Sequence, residues 1–416
     1  MARFGYLVPE FPGQTHSFFW REMAALKSMG MEPELISTRR PEGGRVPHQW
    51  ADAAEAETHY LVPPGLADTF GAGSALLHGL IHGKAAALRG AARGYSDNQN
   101  AADGWRARIM GVLRSVSLLL AASELVGVAR RRGWVHVHVH SCADAAQVAL
   151  FAHRLSGLPY SLALHGPLAD YGPNQADKWR NASFGVVITK GLLGDIRQRL
   201  GPALPERMGI AAMGVDTADF VRSAPYEPWT GTGPARIFSC GRLNPSKGHR
   251  DLVAAVRMLA DAGIDARLVI AGEDERGGKG YRLELERLVT ELDVGGRVTL
   301  LGSVSEATVR TRLEEAHVFA LASHAEPLGV AIMEAMSLSV PVVVTGSGGV
   351  AELVQDQQSG LLVRANDPAH LASTLVNVLH TPDLARRLGA EGRHRVVGQF
   401  DSTRGAGILA DMIRGR

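Results

Sequence analysis

Ser323-His324-Ala325-Glu326-Pro327-Leu328-Gly329-Val330-Ala331-Ile332-Met333-Glu334-Ala335-Met336 sets two carboxylates eight residues apart around an otherwise apolar, helix-like run. Glu334 falls between Met333 and Ala335, where a purely structural helix would bury a hydrophobe. A carboxylate is costly to bury unless something donates hydrogen bonds to it. The natural partners of two such groups are hydrogen-bond donors such as hydroxyls. The plain alternative is a surface helix with one Glu at its start and another in its middle. A second segment upstream weighs against it.

That segment is Ile237-Phe238-Ser239-Cys240-Gly241-Arg242-Leu243-Asn244-Pro245-Ser246-Lys247-Gly248, a short strand running into a loop with two cations. Gly241 and Gly248 permit unusual backbone angles and close approach of a ligand. Arg242 offers a planar fork that suits phosphate oxygens, and Lys247 adds a compact point charge. An apolar-rich helix is expected from His249 to Ala262, so the loop ends near a helix N-terminus, which favours anions further. The structural alternative for Arg242 and Lys247 is a pair of solvated loop cations.

Together these segments resemble glycosyltransferase family 4, retaining enzymes of the GT-B fold. The likeness rests on Gly241-Arg242-Leu243 to Lys247-Gly248 and on Glu326-Pro327-Leu328-Gly329-Val330 to Glu334. Gly214-Val215-Asp216 and Gly346-Ser347-Gly348-Gly349-Val350-Ala351-Glu352 add to it. It covers most of the chain and is specific in the C-terminal half. The resemblance implies that Glu326 contacts donor-sugar hydroxyls, that Glu334 binds the nucleotide ribose, and that Arg242 and Lys247 neutralise the diphosphate. It implies a UDP- or GDP-sugar as donor; no cofactor and no metal are expected, because the sequence has no Asp-x-Asp motif and two cations already face the phosphates.

Length and composition agree with two domains. The chain has 416 residues, enough for two cores of ordinary size. Its 44 Lys and Arg against 42 Asp and Glu point to no polyanion or nucleic acid as obligate partner. Two cysteines, Cys142 and Cys240, are too few for a disulfide framework, and no signal peptide is visible, so a reducing cytoplasm is expected. The apolar stretch Val116 to Ala122, broken by Arg114 and Glu124, is too short to span a bilayer.

The organisation reads as strands and helices alternating twice. Strands are expected at Phe4–Val8, Pro33–Ser37, Val135–His140, Tyr160–Leu164 and Gly185–Thr189. A second series is expected at Arg236–Cys240, Ala266–Ala271, Arg297–Leu301, Val318–Ala320 and Pro341–Thr345. Helices are expected over Phe18–Met29 and Asp144–Leu155. Such alternation indicates an α/β chain of two Rossmann-like, doubly wound parallel sheets. These bind ligands at the C-terminal ends of their strands, where the motif residues fall. The expected domains are an acceptor-binding 1–214 and a donor-binding 215–399 facing an interdomain cleft, with a C-terminal helix 400–416 returning to the first domain. The amphipathic spacing of Ile408, Leu409, Met412 and Ile413 permits that return. Pro225 to Pro234 is the linker candidate.

In the first half, Pro9-Glu10-Phe11-Pro12-Gly13-Gln14-Thr15-His16-Ser17 joins a strand to a helix. Gly13 and the amides after it could approach the donor diphosphate. The alternative is a plain connection capped by Thr15 or Ser17. His165 ends a strand, and the resemblance implies a donor contact there. The acid that commonly follows is absent, Leu168 standing in its place, and Asp170 is the first Asp. The alternative for His165 is a hydrogen-bonded strand-end histidine.

His136, His138 and His140 alternate, with Cys142 next in phase. Same-face residues on one strand fan outwards rather than converge on one ion, which argues against zinc. Gly277-Gly278-Lys279-Gly280 mimics a phosphate loop but lacks a following Thr or Ser. Gly272-Glu273-Asp274 departs from the family's Gly-x-Gly.

Ala72 to Trp134 holds nine Lys or Arg against three acidic residues. Leu76, Leu77, Leu80, Ile81 and Leu88 fall at near-helical spacings among Lys84, Arg89 and Arg93. Two readings fit: a helix lying on an anionic membrane face, with a lipid or lipid-linked saccharide acceptor, or an ordinary amphipathic helix on the sheet. Gln14 to Arg21 resembles the bacterial exopolysaccharide and lipopolysaccharide-type members. The resulting expectation is a retaining glycosyltransferase of envelope or exopolysaccharide synthesis. A sugar-nucleotide epimerase or hydrolase, or a non-catalytic nucleotide-sugar-binding protein at the membrane, are the alternatives.

Overall fold

The computed structural model describes residues 3–41, 47–62, 92, 105–274 and 280–415. It divides into two compact units. The first holds 1–46, 50–211 and 405–416, and the second holds 47–49 and 212–404.

The first unit is built on parallel strands β1 (Arg3–Glu10), β2 (Glu32–Arg39), β3 (His59–Val62), β4 (Val137–Val139), β5 (Tyr160–Leu164), β6 (Gly185–Val187) and β7 (Met208–Ile210). Their order across the sheet is β3-β2-β1-β4-β5-β6-β7. The helices are α1 (Ser17–Ser28), α2 (Ala51–Glu57), α3 (Trp105–Arg132), α4 (Asp144–Ser156), α5 (Gln175–Arg180) and α6 (Lys190–Leu200). Strand β1 shows why the sheet is covered twice. Phe4, Tyr6 and Val8 enter a core shared with Phe19, Met23 and Leu26 of α1, whereas Leu7 enters a core with Leu125, Val148 and Phe151 of α3 and α4. Alternate residues of a strand point to opposite faces, so an unbroken apolar run needs helices on both. Thr189 Oγ1 accepts from Leu192 N at 3.1 Å and caps α6.

The second unit repeats the plan. Its strands are β8 (Ala235–Cys240), β9 (Ala266–Ala271), β10 (Val298–Gly302), β11 (Val318–Leu321), β12 (Val342–Thr345) and β13 (Leu361–Val363), all parallel in the order β10-β9-β8-β11-β12-β13. Helices α7 (His249–Asp261), α8 (Tyr281–Glu291), α9 (Glu306–Glu315), α10 (Val330–Ser337), α11 (Val350–Leu353), α12 (Pro368–His380) and α13 (Pro382–Gln399) accompany them. The chain then enters α14 (Ser402–Arg414), whose Ala406, Leu409 and Ala410 lie in the first unit's core, and Arg414 donates to Met29 O at 2.8 Å. Gly214-Val215-Asp216 sits against Phe400–Ser402: Val215 N donates to Phe400 O at 3.0 Å, and Ser402 N donates to Val215 O at 2.9 Å.

In both sheets the winding direction reverses beside the first strand, between β1 and β4 and between β8 and β11. Ligands of such sheets bind beyond the carboxyl ends of the strands at that reversal. The segments after β1, β4, β8 and β11 are Phe11–His16, His140–Ala143, Gly241–Gly248 and Ala322–Gly329, which hold most of the residues singled out above.

One expectation is corrected, and another falls only partly within the described residues. Pro225–Pro234 is not a linker: Trp229 is buried in the second unit's core, and Tyr226 donates its hydroxyl to His317 O at 2.6 Å. The units change at Ala211–Ala212 instead. The basic run is only partly described. Residues 63–91 and 93–104, with Leu76 to Leu88, Lys84, Arg89 and Arg93, lie outside the described residues. The described part, α3, packs Leu118, Ala122, Leu125 and Val126 inward and leaves Leu113, Val116 and Leu120 57%, 50% and 56% exposed. No helix among the described residues is long and apolar enough to cross a membrane.

Candidate active site

The loop after β8 is drawn onto the end of β11. Gly248 closes it in the left-handed region (φ 63°), and a Cβ there would collide with the carbonyl of Ala322. Only glycine allows this approach at no steric cost. His324 N donates to Ser246 O at 2.7 Å, and His324 Nε2 lies 3.2 Å from Asp251 Oδ2 on α7. These contacts bring Lys247, in a short 3-10 turn Pro245–Lys247, to Glu326. Lys247 Nζ lies 2.6 Å from Glu326 Oε2, and Ser323 Oγ donates to the same oxygen at 3.1 Å.

Glu326 is fixed from the other side as well. Gly349 N donates to Glu326 O at 3.0 Å, and Ser347 Oγ donates to Ser323 O at 2.8 Å. Gly348 (φ 60°) has no room for a Cβ beside Glu326 O. The Gly346–Glu352 segment therefore serves as a backbone clamp on the segment that carries Glu326.

Glu334 is buried in the first turns of α10, among Ile332, Met333, Ala335 and Met336. It stands near Cys240, whose thiol is pushed up to about 12 by burial and by the Glu334 carboxylate, against the opposing pull of Lys247. Cys240, Lys247, Glu326 and Glu334 thus form one electrostatic neighbourhood at the ends of β8 and β11. Arg242 lies on the same loop and is exposed, with its carbonyl 3.1 Å from His249 Nε2. Gly241 N donates to Ala271 O at 3.0 Å. Pro327 is half-buried and Leu328 buried, Gly329 precedes α10, and Val330 opens it. Asp274, in place of the family's second glycine, accepts from Arg282 N at 2.9 Å and so engages the start of α8. Residues 275–279 of the Gly-rich segment lie outside the described residues; Gly280 precedes α8.

In the first unit Gly13 lies beneath the His16 ring, and His16 N donates to Gly13 O at 3.0 Å. Neither Thr15 nor Ser17 caps α1: its N-cap is His16, with no side-chain capping bond. His165 Nε2 lies 3.1 Å from His140 Nδ1, while Asp170 is exposed in the turn Leu168–Tyr171. His136 Nε2 and His138 Nδ1 both reach Ser161 Oγ at 2.7 Å. Among the described residues no group of three or more His, Cys, Asp or Glu could hold a metal ion. Burial lowers the imidazoles, His136 to about 4 and His140 and His165 to about 3. Sequence reasoning missed Glu22 and Tyr6. Tyr6 donates to Glu22 Oε2 at 2.6 Å, and the same oxygen lies 3.2 Å from His140 Nε2.

Comparison with known proteins agrees with the fold. Residues 230–395 match the family described as glycosyl transferases group 1. The chain is similar to 2-deoxystreptamine glucosyltransferase of Streptomyces kanamyceticus, 28% identical over 73% of this chain and 84% of the relative. It is 25% identical to the putative colanic acid biosynthesis glycosyltransferase WcaL of Escherichia coli K12, over 92% of each. Among solved structures, Anabaena Alr3699/HepE in complex with UDP and glucose covers 100% of both chains at a TM-score of 0.73 and 16% identity, a likeness of fold.

Proposed function

From the premise that this chain is a glycosyltransferase of the GT-B fold whose residues 230–395 are a group 1 glycosyl transferase domain, we propose that it moves a sugar from a UDP- or GDP-sugar to a hydroxyl acceptor with retention of anomeric configuration. The observation that carries this reading is the pairing of Lys247 with Glu326 beside buried Glu334. Such a cluster offers a cation for phosphate and two carboxylates for hydroxyls.

The roles we assign follow that chemistry. Lys247 and Arg242 stabilise charge growing on the leaving diphosphate. Glu326 accepts from hydroxyls of the transferred sugar, Glu334 accepts from the ribose, and His165 meets a hydroxyl of the sugar. Gly13 and Gly241 leave room for the diphosphate, and Pro327 to Val330 present backbone to it. The bond from the anomeric carbon to the diphosphate oxygen breaks as the acceptor oxygen attacks from the same side. The acceptor's proton passes to a diphosphate oxygen, so no side-chain base is needed. The charge relief comes from preorganised cations rather than from a divalent metal.

For the acceptor we infer a lipid or lipid-linked saccharide of envelope or exopolysaccharide synthesis. The similarity to the colanic acid protein over nearly the whole chain supports the polysaccharide half of this. The exposed row Leu113, Val116 and Leu120 on α3, with Arg130 to Arg132 in its last turn, supports peripheral contact with an anionic membrane. The test is a panel of nucleotide sugars scored for nucleoside diphosphate release with and without bacterial membrane lipid extract. Release that needs the extract supports transfer to a lipid. Equal release without it would mean hydrolysis, and binding without release would leave only a binding protein.

A further inference from the structure

Glu22 lies on the inner side of α1, where its carboxylate closes a line of buried polar groups. Tyr6 donates its hydroxyl to Glu22 Oε2 at 2.6 Å, and that oxygen stands 3.2 Å from His140 Nε2, close enough for charge attraction though poorly aligned for a hydrogen bond. His140 Nδ1 lies 3.1 Å from His165 Nε2. The line ends at His165 Nδ1, which is buried and has no hydrogen-bond partner among the described residues. The rings of Phe18 and Phe19 stand 5.7 Å from the His165 ring, and His138 meets His140 edge-on at 4.5 Å. His16 and His138 complete the titratable groups that face this line.

Electrostatics fixes the direction of the hydrogens. A lone pair on His140 Nε2 would face a carboxylate oxygen at 3.2 Å and be repelled, whereas a hydrogen there is attracted. Burial keeps His140 neutral at ordinary pH, so with its hydrogen on Nε2 its Nδ1 is a lone pair. A hydrogen bond between the two rings then needs His165 to donate from Nε2. His165 is neutral for the same reason, and its Nδ1 is left as an acceptor. Were the hydrogens reversed, His165 would present a donor at the same place.

We propose that Glu22 is a positioning residue that, through His140, holds His165 in the Nε2–H tautomer and presents Nδ1 as an acceptor for a hydroxyl of the transferred sugar. An acceptor nitrogen discriminates by chemistry: it welcomes a hydroxyl and repels a phosphate oxygen that has no hydrogen to give. That the hydroxyl belongs to the sugar rests on the role proposed above for His165. The tautomer does not.

The experiment is nitrogen NMR on the full chain labelled with 15N at the histidine rings, with His165 assigned by its loss in His165→Gln. The expected spectrum has Nε2 protonated and Nδ1 bare. A protonated Nδ1 in the unsubstituted protein overturns the proposal. In Glu22→Leu the anchor is gone, and His165 is expected to populate both tautomers; an unchanged spectrum shows that Glu22 does not hold it. The same variant is assayed with whichever of UDP-glucose, UDP-N-acetylglucosamine or GDP-mannose turns over. There kcat/KM is expected to fall about twofold, the loss when the competent tautomer drops to about half of the population, while the affinity for the nucleoside diphosphate alone stays put. A bare Nδ1 in the unsubstituted protein that becomes mixed in Glu22→Leu, together with unaltered kinetics in that variant, would overturn the placement of His165 on the sugar and leave the hold of Glu22 intact.

Discussion

Replacing Lys247 by Ala separates two effects that the geometry predicts together. The Nζ–Oε2 distance is 2.6 Å, and the Lys247 and Glu326 side chains are 15% and 8% exposed. At an effective dielectric constant of about 20 the gross attraction at that distance is about 6 kcal/mol, most of it offset by desolvation. Lys247→Ala leaves Glu326 with Ser323 Oγ at 3.1 Å. A buried acceptor that loses one partner costs about 1–3 kcal/mol. For a domain of this size that lowers Tm by roughly 3–10 °C. The catalytic effect is larger, since removing one preorganised group from a developing charge costs about 100- to 1000-fold in kcat. The double variant Lys247→Ala/Glu326→Gln tells the two apart. Without the unpaired charge the melting temperature should recover most of its loss, and turnover should stay down. The readouts are calorimetry on each variant and release of nucleoside diphosphate from the active sugar nucleotide. Turnover within threefold of the parent in Lys247→Ala would refute the phosphate role. Recovery of turnover in the double variant would show that Lys247 only neutralises Glu326.

Glu326→Gln alone should lower turnover more than it weakens nucleoside diphosphate binding in calorimetry; the opposite order would place the carboxylate away from the sugar. Gly248→Ala should cost about 1–3 kcal/mol from its positive φ, with more from the clash at Ala322 O, and should raise the KM for the donor; a parental Tm would contradict the close approach. The buried histidines make a fourth prediction. In the folded protein His136 titrates near 4 and His140 and His165 near 3, each against an ordinary value of 6.5. Between those values the unfolded chain binds the extra protons, so stability rises with pH and is lost as pH falls below about 6.5. Each such group contributes up to about 1.4 kcal/mol per pH unit in that window. His249 and His317, both lowered to about 4, act likewise in the second unit, so both units should soften in acid, the first more steeply. A flat melting temperature from pH 6.5 to 4.5 would contradict the burial.

Apart from β10 at one edge, the expected strands were those flanked on both sides by neighbours. Phe4–Val8, Tyr160–Leu164 and Ala266–Ala271 are apolar because helices cover both faces, and that pattern is visible in the chain itself. The three strands missed, β3, β7 and β13, are all sheet edges of three or four residues. Met208, Gly209 and Ile210 are only half-buried, so no apolar run marks them. Lys247, Glu326 and Glu334 were legible because a charge in an apolar or glycine-rich context is costly without a purpose. Glu22 was not legible, for an acid on a helix usually faces water; what sets it apart is Tyr6, which the fold alone brings across. The link between His138 and Ser161 depends likewise on the parallel register that sets these two residues opposite each other.

The bond between Lys247 and Glu326 has a consequence for what can enter. With no substrate present the two charges cancel, and the carboxylate is already satisfied. A bare inorganic anion can court the ammonium only by stranding the acid. A free monosaccharide can court the acid only by leaving the ammonium to water. On the roles proposed, one molecule that brings an anion and a hydroxyl together replaces both partners at once, so the pair favours the conjunction of the two over either alone.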